Sequence, residues 1–292
     1  MVADLDDDYI AKMEDVLEVY EWPHDPKQPV ICLDEKPVTL HADVRPTSPA
    51  APGRETRRDH EYERCGTANV FCAVEPKAGR HFTFARPDRS GFEFAQVAIT
   101  LALAYPEAKT IHLVMDNLNI HRRKALADVF GWDMAAEVWD RLTVHYTPTH
   151  GSWLNQAEIE IGIFSRQCLG SRRIPDLKSL RREAKAWNRR MNRDRIKINW
   201  KFDRTAARRK FDYKRQAFMR SKTWLCFEDS PLVADRRIIP ANRLRRRRQV
   251  CLRIRQQLRQ AHVLWIVVGQ LQDELQFRNY GSEVNRHCGN IT

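Results

Sequence analysis

The stretch from residue 30 to residue 34 reads Val-Ile-Cys-Leu-Asp, an apolar run that ends in a carboxylate. Residues 111–116 form a second run of this kind, Ile-His-Leu-Val-Met-Asp. Such runs favour buried strands, where a carboxylate is costly unless it is paired or binds a metal ion. A third acid, Glu158, stands where a loop leads into a predicted helix. Together with Asp34 and Asp116, it indicates a site for divalent metal ions.

The patterns on either side of these runs predict one mixed sheet flanked by helices. Strands are predicted at residues 30–34, 68–74, 80–84, 111–115 and 142–146. Helices are predicted at residues 4–21, 92–105, 121–130, 155–168 and 176–193. In an α/β sheet of this kind, ligands gather at the carboxyl ends of the strands. The two strand-end aspartates are therefore expected to lie near one another.

Charge is divided unevenly along the chain. Over all 292 residues the formal net charge is +12. Residues 1–163 carry 17 Lys and Arg against 27 Asp and Glu, whereas residues 164–292 carry 33 against 11. Such asymmetry points to nucleic acid or an anionic membrane. We interpret the first half as an acidic module and the second half as a surface that meets a polyanion.

Several classes of protein and of site do not fit the sequence. The cysteines are scattered without a Cys-x-x-Cys pair, which argues against a zinc finger. The acidic start is unlike a secretory signal, and the apolar run at residues 263–268 is too short to span a bilayer. Glycine-rich phosphate loops and nucleophile elbows are also missing. We therefore expect a soluble, intracellular protein with reduced thiols and no small-molecule cofactor.

The two aspartates also have ordinary structural explanations. Because adjacent side chains of a strand face opposite sides, only one of Asp34 and Glu35 is expected to point into a site. Asp116 and Asn117 form a common turn pair. His121 would hold a metal-bound carboxylate in place, and a solvated histidine at a helix start is an equal alternative.

Glu158 has a rival two residues further along, at Glu160. On a helix the two side chains are separated by about 200°. Both then fall at the edges of the predicted apolar face, on opposite sides of it. Helical periodicity alone does not choose between them.

Four stretches, taken in chain order, resemble a known family. They are residues 32–35 (CLDE), 58–69 (RDHEYERCGTAN), 114–121 (VMDNLNIH) and 147–158 (TPTHGSWLNQAE). Together they are similar to the catalytic domain of bacterial insertion-sequence transposases of the mariner-type DDE superfamily. The resemblance extends over about residues 30–215.

The resemblance implies a ribonuclease H-like α/β fold, with a mixed five-stranded sheet flanked by helices and a basic helical C-terminal extension. It implies that Asp34, Asp116 and Glu158 are the catalytic and metal-binding acids, and its motif favours Glu158 over Glu160. Two Mg²⁺ or Mn²⁺ ions on such carboxylates activate a water or a 3′-hydroxyl.

The same resemblance implies an activity and partners. The implied activity is cleavage of DNA at the ends of an insertion sequence and transfer of the freed ends into target DNA. The implied partners are element-end DNA, target DNA and a second copy of the chain. The implied location is the bacterial cytoplasm, in association with the nucleoid, without a membrane.

Residues predicted to contact DNA lie mainly in the second half. From Arg166 to Arg220, 20 Lys and Arg face 5 Asp and Glu, and basic helices contact phosphates without reading sequence. A solvated charged face is the alternative for such a helix. The candidates are Arg181, Arg182, Lys185 and Arg189 on helix 176–193, Arg57 and Arg58 in the loop 45–60, and His150 and Trp153 in the loop before Glu158. Asn117 and His121 are predicted to support Asp116.

Three segments are predicted along the chain. Residues 1–29 form an acidic N-terminal helix and linker, residues 30–215 the catalytic domain, and residues 216–292 a basic tail. The first segment is too short for the helix-turn-helix region of family members. Because the family pattern is lost near residue 216, we hypothesise that the tail is non-native, frameshifted or disordered sequence. The alternatives to an active transposase are an inactive remnant that binds DNA non-specifically and another nuclease of ribonuclease H fold.

Overall fold

The computed structural model describes residues 5–213. The helices in this range are α1 (Asp7–Glu21), α2 (Gly91–Ala104), α3 (Arg123–Phe130), α4 (Trp132–Trp139), α5 (Ala157–Phe164), α6 (Leu177–Asp194) and α7 (Arg204–Phe211). The strands are β1 (Val30–Asp43), β2 (Tyr62–Glu75), β3 (Arg80–Arg86), β4 (Ile111–Met115) and β5 (Leu142–Tyr146).

The strands form one five-stranded sheet in the order β3-β2-β1-β4-β5. β1, β2 and β3 are antiparallel neighbours, whereas β4 runs parallel to β1 and β5 runs parallel to β4. Helices pack on both faces of this sheet. The order and the strand directions confirm the predicted ribonuclease H-like fold.

All five predicted strands are present, but β1 and β2 are much longer than predicted, and β3 is longer by two residues. β1 continues to Asp43, so Asp34 lies within the strand and the prediction that it closes the strand is wrong. The extension is stable because Val38 and Leu40 are buried while Thr39 between them is exposed, the alternation of a half-buried strand. It also pairs with β2 as far as the partners Asp43 and Tyr62.

The five predicted helices are also present, with two additional ones. The predicted helix at 155–168 is α5 followed by a π-helical turn over Ser165–Leu169. α4 begins directly after Gly131, which the sequence indicates only as the end of α3. α7 escapes prediction because its many basic residues hide any apolar stripe; it begins where Asp203 accepts a hydrogen bond from the amide of Ala206 at 2.6 Å.

Alternate residues of the sheet supply two opposite cores. On one face, Leu33 and Phe71 pack against α2, α3 and α4. On the other face, Val70 packs with Phe164 of α5 and Trp187 of α6. Consecutive residues of β1 therefore point into different helical layers, which decides what Asp34 and its neighbour can contact.

α1 is packed into the fold and joined to α7. Its buried residues Met13 and Leu17 share a third core cluster with α7 and the start of α5. Glu14 accepts a hydrogen bond from Arg208 Nε at 2.8 Å, and Glu21 pairs with Arg204 at 2.7 Å. Within the described range, the segment before residue 30 thus contributes a helix to the same core as the residues that follow.

Gly79, in the turn between β2 and β3, offers a test of the packing. Its φ is +62°, and a Cβ added there would lie 2.6 Å from the carbonyl oxygen of Arg195. The left-handed conformation alone costs a non-glycine residue about 1–2 kcal/mol. We expect Gly79→Ala to lower the free energy of unfolding by more than that, measured by urea denaturation, because backbone would have to move. Gly53→Ala, at φ +76° with open space around it, is the control, and an equal loss in both variants would contradict the contact.

None of the helices within residues 5–213 has the length and apolar character that a membrane crossing requires. The basic tail predicted for residues 216–292, with the hypothesis about its origin, lies outside the described residues.

Candidate active site

Asp34 and Asp116 are brought level by the pairing of β1 with β4. The two strands are parallel, with Cys32 opposite Val114. Asp34 lies two residues beyond Cys32, and Asp116 lies two residues beyond Val114. Because paired parallel strands advance together, the two aspartates reach the same height at the centre of the sheet. The predicted proximity of these acids thus arises from strand register, although only Asp116 follows a strand end.

The environment of Asp34 is unfavourable for a free carboxylate. Burial raises its pKa to about 7, and the negative charges of Glu158, Glu35 and Asp116 act in the same direction. A hydrogen bond from the amide of Glu35 at 2.8 Å opposes these effects in part. Charges influence a pKa in this way only over short distances. The sensitivity of Asp34 to both Asp116 and Glu158 therefore indicates that the three acids predicted from the sequence share one region.

Asn155 ties this region together from the other side. Its Nδ2 donates to the carbonyl oxygen of Leu33 at 2.8 Å and lies 3.5 Å from Asp34 Oδ2. Its Oδ1 accepts from the amide of Ala157, the first residue of α5. The amide side chain thus joins the start of α5 to β1, which brings the first turn of that helix toward Asp34.

Asp116 is held by a buried histidine and a second carboxylate. His121 Nδ1 donates to the carbonyl oxygen of Asp116 at 3.0 Å and lies 2.7 Å from Asp116 Oδ1. The hydrogen bond is directed at the carbonyl, so the contact with Oδ1 is mainly electrostatic. On its other side, His121 Nε2 donates to Glu35 Oε1 at 2.8 Å. The imidazole is completely buried and packs against the ring of Phe94, with centroids 4.7 Å apart.

Both nitrogens of His121 face acceptor oxygens, so the ring is held as an imidazolium. Burial alone would lower its pKa, but the bonds to Asp116 and Glu35 outweigh burial and raise the pKa to about 10. The ligand atoms of Glu35, Asp116 and His121 lie within 4.8 Å of one another, a spacing that also suits a cation. Because protons already fill the contacts, we interpret the three as a support for Asp116.

Glu158 and Glu160 have opposite environments on α5. Glu158 is exposed in the first turn, on the side where its charge reaches Asp34. Glu160 is fully buried and receives a hydrogen bond from His81 Nδ1 at 2.8 Å, while His81 Nε2 faces the carbonyl oxygen of Ile196 at 2.8 Å. Glu160 is therefore engaged in the core, and Glu158 is the acid of α5 that is available to a ligand.

The donor set fits a hard divalent cation. Asp116 Oδ1 is buried and accepts no hydrogen bond among the described residues, although His121 Nδ1 lies 2.7 Å away, and Asp34 is crowded by like charges. A cation between these carboxylates would use the free lone pairs of Asp116 and relieve the crowding at Asp34. Carboxylate oxygens without thiolate ligands favour Mg²⁺ or Mn²⁺.

The predicted DNA-contacting residues lie on two exposed surfaces. α6 buries Leu180, Ala184, Trp187 and Met191 against the sheet, which leaves Arg181, Arg182, Lys185 and Arg189 exposed. In the β1–β2 connection, Arg57 is exposed, whereas Arg58 pairs with Asp43 at 2.9 Å and donates to the carbonyl oxygen of Ser171. Arg58 thus has a structural task, and Arg57 is the more available cation of the two.

The remaining predicted residues, His150, Trp153, Asn117 and His121, differ in their contacts. His150 and Trp153 are exposed in the loop before α5, and His150 has a positive φ of 61°. Asn117 is exposed, and no hydrogen bond within residues 5–213 links it to the three acids. Of the two predicted supports of Asp116, only His121 makes contact with it.

Two residues in the site carry roles that sequence reasoning missed. Strand alternation predicts that only one of Asp34 and Glu35 serves the site, yet both contribute, one on each face of β1. Asn155, the first residue of the helix predicted at 155–168, lies just before α5, and its side chain contacts β1 and the amide of Ala157. The available signal for Glu35 is its position two residues after Leu33, on the same face of a buried strand, where a carboxylate requires a partner.

Comparison with protein families agrees with this geometry. The sequence model of the DDE superfamily endonucleases matches residues 29–181, which is more than half of the chain. This chain belongs to the DDE superfamily endonuclease family. The match includes Asp34, Asp116 and Glu158 and ends within α6. A search of curated proteins gives no match.

Solved structures that resemble this DDE endonuclease come from Mos1 complexes. The Mos1 mariner paired-end complex with Mn is 15% identical, with a TM-score of 0.43, and the match covers 66% of this chain and 60% of that one. The Mos1 paired-end complex with the left transposon end is 15% identical, with a TM-score of 0.44, and the match covers 66% of this chain and 59% of that one. The pre-cleavage Mos1 transpososome is 12% identical, with a TM-score of 0.42, and the match covers 68% of this chain and 65% of that one. This chain thus spans less than two thirds of each, and these values are too low to carry over an activity.

Proposed function

We propose that this DDE endonuclease is the catalytic domain of a transposase that cleaves DNA strands and transfers them to target DNA. The proposal is supported by the register that levels Asp34 with Asp116, and by the Asn155 contacts that bring the first turn of α5, with Glu158, to β1, within a chain of the endonuclease family. The proposal includes two Mg²⁺ or Mn²⁺ ions, element-end and target DNA, and a second copy of the chain. A bacterial insertion sequence is the source that the motifs favour.

Each residue of the site has a distinct part in this proposal. Asp34, Asp116 and Glu158 would hold the ions, which when bound supply a readily deprotonated water or 3′-hydroxyl and neutralise the leaving oxygen. His121, held by Glu35, keeps Asp116 in place through its carbonyl oxygen and its carboxylate, and Asn155 keeps α5 against β1. The exposed arginines of α6 attract the phosphates of DNA without reading bases.

A plasmid that carries the DNA flanking the coding sequence tests this proposal. We expect the purified chain to nick this plasmid and join strands in Mn²⁺ or Mg²⁺, and to do neither in excess chelator. Gel electrophoresis of supercoiled, nicked and joined products provides the measurement. Asp116→Asn should be inactive, with Asp128→Asn on the exposed side of α3 as the matched control.

Two outcomes would redirect the proposal. Cleavage that survives Asp116→Asn would place the active site elsewhere. DNA binding without cleavage by the parent chain, over a range of metal concentrations, would support the alternative of a remnant that binds DNA non-specifically. Cleavage without any strand joining would support the alternative that the chain is another nuclease of ribonuclease H fold.

A further inference from the structure

The loop that leads into α5 is compact and firmly attached to the site. Leu154 is fully buried and its carbonyl oxygen accepts from Tyr20 OH at 2.9 Å. Gly151 is packed so closely that an added Cβ would lie 2.5 Å from Pro148 Cγ. Asn155, next along, contacts β1 beside Asp34. The loop is therefore rigid, and its outward-facing side chains have fixed positions relative to Asp34.

Trp153 is the large side chain of this loop that is exposed to solvent. It is 38% exposed, although an indole gains much from burial. Its orientation is nevertheless fixed, because Nε1 donates to Tyr9 OH at 3.2 Å and the ring packs against Phe202 and Phe211 at centroid distances of 5.4 and 6.1 Å. A pre-oriented aromatic ring, partly open to solvent, thus lies five residues before Glu158.

A lysine completes this surface. Lys210 Nζ lies 5.9, 5.7 and 5.5 Å from the ring centroids of Trp153, Phe202 and Phe211. Lys210 is exposed, and within residues 5–213 its ammonium pairs with no carboxylate. We call these four residues, Trp153, Phe202, Lys210 and Phe211, the aromatic platform. An aromatic face combined with a cation is the combination that binds unpaired nucleotides, through base stacking and phosphate attraction.

We propose that the aromatic platform stacks an unpaired base of the DNA strand that enters the active site. This inference rests on the proposed function, because it assigns part of the same substrate. Opening a duplex end exposes an unpaired base, and unpairing a base costs a few kcal/mol. Stacking on an aromatic side chain contributes about 1–3 kcal/mol per base, which offsets much of that cost. The platform is therefore a device for opening the duplex end beside the acids.

Binding measured without divalent metal tests the platform independently of cleavage. The two probes are a blunt DNA duplex and the same duplex with an unpaired single-stranded end, and fluorescence anisotropy gives their dissociation constants. We expect the parent chain to prefer the unpaired end. Trp153→Ala should weaken binding of that end by about 5- to 150-fold, the equivalent of about 1–3 kcal/mol, and leave the blunt duplex at the parent value. Trp153→Phe should retain most of the preference.

Two further variants keep the test decisive. Trp132→Ala removes another exposed tryptophan, 59% exposed at the start of α4, and should bind both probes as the parent does. Lys210→Gln alters an exposed side chain, so it reports on the platform even if Trp153→Ala fails to fold, and it should weaken binding of the unpaired end.

The platform is ruled out if the parent shows no preference for the unpaired end, or if Trp153→Ala and Lys210→Gln both leave that preference unchanged. Equal weakening of both probes in these variants would also overturn it. The proposed function fails separately, when the parent binds the unpaired end in this way but never cleaves DNA in Mn²⁺.

Discussion

Glu158→Gln is expected to abolish DNA cleavage and leave the fold intact. Glu160→Gln is expected to lower the stability of the fold and leave the cleavage rate of the folded molecules unchanged. Glu158 is exposed and its charge reaches Asp34, so its loss removes a proposed metal ligand. A catalytic cation contributes several kcal/mol to the transition state, and each 1.4 kcal/mol is tenfold in rate. The rate of plasmid nicking should therefore fall by about 1,000-fold or more.

Glu160→Gln acts on stability because Glu160 is fully buried against His81. Replacing its carboxylate by an amide weakens this buried hydrogen bond, at a loss of about 1–3 kcal/mol. We expect a lower midpoint of urea denaturation, with nicking at the parent rate per folded molecule. The two variants make the same chemical change two residues apart, so each controls for the other. If Glu160→Gln were inactive but stable, and Glu158→Gln active, the motif-based choice between them would be wrong.

The sequence predicts the sheet better than it predicts the site. β4 and β5 have the predicted limits because each is a short strand in which five consecutive residues carry the pattern. β1 extends past Asp34 because pairing with β2 outweighs the interruption by Pro37, and such pairing is not visible in one segment alone. The level position of Asp34 and Asp116 likewise depends on the register between β1 and β4, which are neighbours in the sheet but distant in sequence.

The choice between Glu158 and Glu160 shows what local pattern cannot supply. The helical wheel places both at the edges of the apolar face, and His81, 79 residues away, decides which one is buried. Glu35 is a similar case, since its partner His121 lies 86 residues away on the chain. In both cases the partner of a buried carboxylate comes from tertiary packing, which periodicity does not report.

His121→Ala is expected to destabilise the fold more than any other single substitution among Glu35, Asp116 and His121. The ring lies between Glu35 and Asp116 and is completely buried, so its removal leaves two carboxylates without their shared cation. We expect a loss of about 3–5 kcal/mol in the free energy of unfolding. Any folded fraction should also bind Mn²⁺ about 10- to 100-fold more weakly, the usual effect of removing a group that orients a metal ligand. Urea denaturation and Mn²⁺ titration of nicking measure the two effects.

The dependence on pH provides a sharper test of the same contact. The pKa of His121 is about 10 in the folded chain, against an ordinary value of 6.5. A group whose pKa is raised by folding binds its proton more tightly in the folded state, so its stabilisation is complete below about 6.5 and is lost as the pH rises through 10. The parent chain should therefore lose stability across this alkaline range, and His121→Ala should lose less.

Glu35→Gln separates charge from hydrogen bonding in this support. The amide oxygen still accepts from His121 Nε2, but the negative charge that helps to raise the pKa of His121 is gone. The alkaline loss of stability should then be smaller and should end at a lower pH than in the parent, with less destabilisation below pH 6.5 than His121→Ala shows. His60→Ala, at a side chain that is 96% exposed, should leave the profile unchanged. A parent-like alkaline profile in both Glu35→Gln and His121→Ala would mean that the imidazolium does not hold Asp116, and that another group fixes this carboxylate.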